Sequence, residues 1–134
     1  MVTFDPGPVS WDFYGYETPA GNRDVEKWFL ELPEEAQDEV IDVLRYLGAL
    51  PPQQWQRPEF ATLGGGLFEF RIKVNEPKLI VRIYGFHWPE GQHNFTMLLG
   101  HCKKVKNPTN EIELARKRLT QVTAKKVNIH VFDF

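Results

Sequence analysis

One carboxylate and a set of cationic side chains in the second half of this chain have the types and spacing to do chemistry on an anion. The segment LFEFRIKV alternates, so Leu67, Glu69, Arg71 and Lys73 share one face of a strand, while Phe68, Phe70, Ile72 and Val74 share the other. KLIVRIYGF follows after a turn near Asn75, Glu76 and Pro77. If Asn75 and Lys78 close that turn, Val74 meets Leu79, Ile72 meets Val81, Phe70 meets Ile83, and Arg71 stands opposite Arg82. A longer loop around Pro77 would slip the register by two and still leave the arginines diagonal neighbours on one face. Two arginines so placed repel at a cost of up to about 1 kcal/mol, whereas a charged hydrogen bond to an anion contributes about 1.5–3 kcal/mol. A bound anion would offset the repulsion; the plainer alternative is a surface salt-bridge network with Glu69. A third strand, HNFTMLLGHCKK, ends in His101 and Lys103, so polar groups converge from three strands.

The charge distribution runs the same way. Residues 1–66 hold twelve acidic and four basic side chains, residues 67–134 six acidic and twelve basic, and the halves give the net charge of -2. Part of the positive charge is helix design. Asn107 and Pro108 suit the start of a helix, Glu111 and Glu113 sit near its positive end, and Arg116, Lys117 and Arg118 come later. Lys103, Lys104 and Lys106 precede that cap and lack this explanation.

The elements that must position these groups are readable from periodicity. WDFYGYE has the aromatic character of a strand, and Val25, Trp28, Phe29 and Leu32 have the spacing of one buried helical face. Pro33 ends that helix and suits the start of a second, with Ala36, Val40, Val43, Leu44 and Leu47 inward; the two are expected to form a helical hairpin. PPQQWQRP reads as a rigid, exposed connector and LGGG at 63–66 as a flexible hinge into the sheet. Ile112, Ala115, Leu119 and Val122 give the last helix its buried stripe. One α+β domain over residues 1–134 is expected, with an N-terminal extension at 1–10 and a C-terminal one at 127–134. The pairing of the closing VNIHVFDF, with His130, stays open.

Other chemistries find little support. The single Cys102 allows no intrachain disulfide, and the four histidines show no metal-ligand spacing with it, so neither metal nor cofactor is expected. The glycine run lacks a P-loop's lysine and leads into a strand. No stretch approaches the roughly 18 apolar residues of a membrane span, and no secretory leader is visible, so a soluble cytoplasmic protein is expected.

Three blocks carry a resemblance. YETPAGNRDVEKWFLELP, GGGLFEFRI and LLGHCKKVKNPTNEIELARKR look like the three blocks of the phage-derived Gp49-like group of HigB and RelE toxins. The resemblance runs in order from about Tyr14 to Lys125. It implies a RelE-like toxin fold, with two N-terminal helices, an antiparallel sheet of about four strands and a C-terminal helix. It also implies a metal-independent endoribonuclease that cuts mRNA on the translating ribosome, neutralised by a cognate antitoxin of helix-turn-helix type.

The chemistry such an enzyme needs fits these residues. RNA supplies its own nucleophile, the 2′-hydroxyl, so the protein must orient it, stabilise charge on the phosphorus oxygens and move protons. By resemblance, Arg71 and Arg82 take the strand cation positions and Lys103 the one at the end of the last strand. His101, where the group usually shows an aromatic residue, and Glu69 are alternative proton-transfer groups. Lys73, Lys104, Lys106 and Arg116 are expected to bind RNA. The rival expectation is a non-catalytic module on the same fold that binds an anionic partner, RNA or protein, without cutting it.

Overall fold

The computed structural model describes residues 10–55, 59–91, 93–102 and 108–133. Among them, six strands form one sheet in the order β2-β3-β4-β5-β1-β6, flanked by three helices. The elements are β1 (Asp12–Glu17), α1 (Asp24–Leu30), α2 (Glu34–Leu47), β2 (Phe60–Gly64), β3 (Leu67–Val74), β4 (Leu79–Phe86), β5 (Asn94–His101), α3 (Thr109–Thr123) and β6 (Asn128–Val131). The class is α+β as expected, but the sheet is larger than the expected four strands and is not wholly antiparallel, because β1 runs parallel to β5. Distant in sequence, those two strands are bound by no hairpin, so their relative direction is free to follow packing.

The two added strands have short-range reasons for being missed. β2 ends in the glycine run, where Gly64, Gly65 and Gly66 all take positive φ and turn the chain directly into β3. What reads as a hinge is therefore a tight hairpin, in a conformation that only glycine adopts at little cost. β6 is four residues long and pairs with β1, His130 facing Gly15, so the C-terminal extension is part of the sheet.

The β3–β4 register agrees with the sequence reading in full: Val74 meets Leu79, Ile72 meets Val81, Phe70 meets Ile83, and Arg71 meets Arg82. Asn75 and Lys78 flank the turn, and the peptide bond before Pro77 is cis. A cis proline fits the third position of a four-residue turn.

Helices α1 and α2 lie on one face of the sheet, α1 over β1 and β5, α2 over β3. The sheet, more than a mutual interface, holds them, so their arrangement differs from the expected helical hairpin. Val25 and Phe29 of α1, and Ala36, Val40, Leu44 and Leu47 of α2, are buried there. Gly100 lets α1 approach, since a Cβ at that position would overlap the Trp28 ring.

Trp55 corrects the connector. It is buried, donates from Nε1 to the Leu47 carbonyl at 2.7 Å, and sits among Trp11, Phe13, Phe60, Phe70 and Phe95. Burying one such ring contributes about 1.5–3 kcal/mol.

Helix α3 covers the other face, over β3, β4 and β5. Its predicted cap residue, Asn107, lies outside the described residues; the helix begins at Thr109, with Pro108 just before it. Arg118 anchors it by donating to the Leu98 carbonyl at 2.8 Å, with its guanidinium 4.5 Å above the Tyr16 ring.

Candidate functional site

Period-two alternation sends Glu69, Arg71, Arg82, Tyr84 and His101 to the face that α3 covers. Two rows cross the strands there. Arg71 faces Arg82, which faces His101; one step along, Glu69 faces Tyr84, which faces Leu99. Glu69, Arg71 and Arg82 line a cleft of about 210 Å³ with Ala61 and Leu63 of β2 and with Pro108 and Ile112 at the amino end of α3. The positive end of the helix dipole therefore opens on the cleft and adds to its attraction for anions.

The electrostatics are unbalanced. Glu69 Oε1 lies 3.4 Å from Arg82 Nη1 and 3.6 Å from Arg71 Nε, so one carboxylate answers two guanidinium groups. Glu69 and Arg82 are buried, at 6% and 7% exposure, which is not the open surface network considered from the sequence. Arg71 remains partly exposed. The Nε atoms of both arginines are buried with no hydrogen-bond partner among the described residues. A buried donor left in that state costs about 1–3 kcal/mol, which an oxygen anion entering the cleft would recover.

Tyr84 is the residue that sequence reasoning missed. It is fully buried, its hydroxyl meets His101 Nε2 at 2.9 Å, and its ring stacks on the imidazole with centroids 5.4 Å apart. Burial first, and then the Glu69 charge, push its pKa up to about 12. The signal was available: the register that sets Arg71 against Arg82 also sets Glu69 against Tyr84.

The remaining site expectations divide. Lys73 is exposed beyond Arg71, on a neighbouring cleft it shares with Glu39, Val43 and Glu59. Arg116 faces the β2–β3 hairpin, where Nη1 donates to the Gly64 carbonyl at 3.0 Å and Nη2 to that of Leu63 at 2.7 Å. It thus clamps α3 to the sheet edge. Lys103, Lys104 and Lys106 lie outside the described residues. Among the described residues, no group of three or more His, Cys, Asp or Glu side chains could hold a metal ion, and no helix is long and apolar enough to cross a membrane.

A mixed sheet with two helices on one face, and on the other a cationic cleft at the amino end of the last helix, defines a small α+β domain with an anion-compatible site. The chain belongs to the phage-derived protein Gp49-like family (DUF891), whose model matches residues 27–120. No curated protein and no solved structure matches the chain.

Proposed function

We propose that this protein is a ribosome-dependent mRNA endoribonuclease of the HigB and RelE type, acting as the toxin of a type II toxin-antitoxin pair. The observation that carries the reading is the buried Arg82 with its Nε unpaired, facing Arg71 and sharing one carboxylate with it. The scissile phosphate would seat between the two guanidinium groups, whose planar forks suit its oxygens. The 2′-oxygen attacks the adjacent phosphorus, and the bond to the 5′-oxygen breaks to leave a cyclic phosphate and a free hydroxyl. Glu69 and His101 move the two protons. An entering phosphate competes with Glu69 for both arginines, so substrate binding itself releases the carboxylate to act. No metal is required, since the guanidinium groups carry the developing charge. Lys103, Lys104 and Lys106 come within five residues after His101 in sequence and would extend contact along the RNA backbone. A cognate antitoxin would neutralise the protein by covering this cleft.

A specific observation also favours the rival reading, a decayed toxin or phage-derived protein that binds an anionic partner without cutting it: the Glu69 carboxylate is already engaged by both arginines. Primer extension on a reporter mRNA separates the two, in a purified translation system with and without ribosomes, using wild type and Arg82→Ala. Cuts that need both ribosomes and Arg82 support the toxin. A folded wild type that makes no cuts favours the binding module, and cuts in naked RNA point to a ribosome-independent ribonuclease.

A further inference from the structure

The cationic cleft has a floor and two walls. Glu69, Arg71 and Arg82 form the floor on β3 and β4, Ala61 and Leu63 of β2 form one wall, and Pro108 and Ile112 at the start of α3 form the other. α3 packs on β3, β4 and β5. Among the described residues, the hydrogen bonds that join it to β2 both come from Arg116. Arg116 lies one turn after Ile112, on the same side of the helix. Its fork reaches the opposite wall where β2 leaves regular pairing: the register shifts between Thr62 and Gly64, so Leu63 has no cross-strand partner. Nη2 donates to the Leu63 carbonyl at 2.7 Å and Nη1 to that of Gly64 at 3.0 Å. A planar guanidinium can answer two neighbouring carbonyls at once, which an ammonium does with no such fixed geometry. Gly64, Gly65 and Gly66 all take positive φ there, and a Cβ on Gly65 would lie 2.9 Å from Arg116 Nη1.

We infer that Arg116 is a positioning residue, a latch that fixes the width of the cleft by tying Leu63 on one wall to the helix that carries Ile112 on the other. An unlatched hairpin is free to swing away from α3 at its glycine run, and water then reaches Arg82, which is buried beneath both walls. Desolvation is what gives an unpaired guanidinium donor its pull on an oxygen anion, because the same contact is weaker where water competes for it. The latch thus sets anion affinity without touching the anion. Linkage makes the effect reciprocal: an anion that binds the narrow cleft more tightly also holds the latch shut. The part this plays in RNA cleavage rests on the ribonuclease reading; the latch itself does not.

Proton–nitrogen spectra of the 15N-labelled full chain measure how fast the Arg82 Nε hydrogen exchanges with water, its signal identified by its loss in Arg82→Lys. Arg116→Ala is expected to speed that exchange and to weaken binding of inorganic phosphate about 5-fold or more. Gly65→Ala keeps the Arg116 charge but sets a methyl against its fork, and is expected to move both readings the same way. Arg116→Lys should fall between wild type and Arg116→Ala. Arg118→Ala is the control, because Arg118 also anchors α3, through the Leu98 carbonyl and Asp24, but on the β5 side. It is expected to lower stability in urea and to leave both readings as in wild type. Unchanged Nε exchange in Arg116→Ala overturns the inference, as does equal acceleration in Arg118→Ala, which would mean a general loosening of α3. In the ribosome assay the latch variants are expected to raise KM with kcat kept. If wild type neither cuts RNA nor binds phosphate while its Nε exchange depends on Arg116, the ribonuclease reading falls and the latch stands. Cutting by a protein whose exchange is indifferent to Arg116 would leave the reverse.

Discussion

Glu69 and Arg82 form a buried ion pair, Oε1 to Nη1 3.4 Å, and the same carboxylate oxygen lies 3.6 Å from Nε of the partly exposed Arg71. Breaking a buried pair by removing one partner costs about 3–5 kcal/mol, because the other charge stays desolvated. Glu69→Ala is therefore expected to destabilise the fold on that scale in urea unfolding, and millimolar phosphate is expected to restore part of the loss by seating between Arg71 and Arg82. If phosphate stabilises wild type and variant equally, the cleft does not prefer an anion.

Lys73 and Arg116, both expected from the sequence to bind RNA, should separate in a salt titration. Lys73 is exposed, so Lys73→Ala is expected to reduce the dependence of log K on log salt by about one. Arg116 is engaged with the Leu63 and Gly64 carbonyls. Arg116→Ala should leave the salt slope unchanged while speeding amide exchange in the β2–β3 hairpin, and a change of slope would return Arg116 to the RNA surface.

Gly100 precedes His101 and lies against the Trp28 ring with no room for a Cβ. Gly100→Ala is expected to cost about 1–3 kcal/mol through overpacking. Combining it with Trp28→Leu should recover part of that loss, a coupling that a double-mutant cycle in urea measures. Strict additivity would contradict the close approach of α1 to β5.

Alkaline titration follows from Tyr84, whose pKa rises from 10.0 to about 12 in the fold. A raised pKa means the folded state holds the proton more tightly than the unfolded chain. Its stabilising share is complete below about pH 10 and is lost as pH rises toward 12, a loss of about 2–3 kcal/mol. Tyrosinate absorbance should show a transition near pH 12 that vanishes in Tyr84→Phe, and the variant should lose less stability over that range than wild type.

Much of this was legible because strands write their faces into the sequence. Alternation in LFEFRIKV and KLIVRIYGF, joined by a short turn, determined the register and with it the facing arginines. Helical spacing likewise determined the buried stripes of α1 and α2. These signals are local, since each residue's side is set by the backbone geometry of its own element.

Other features depend on partners distant in the chain, and only the tertiary structure decided them. β1 lies parallel to β5 and between β5 and β6, a placement that no short-range pattern encodes. Trp55, in a segment rich in proline and glutamine, became core because Trp11, Phe13 and Phe95 converge on it. The same holds at the site. Sequence placed Glu69 on the arginines' face, but the covering helix made the pair buried, raised the Tyr84 pKa and left two Nε donors unpaired. Charge and side are properties of a residue in its strand; desolvation is a property of everything packed above it.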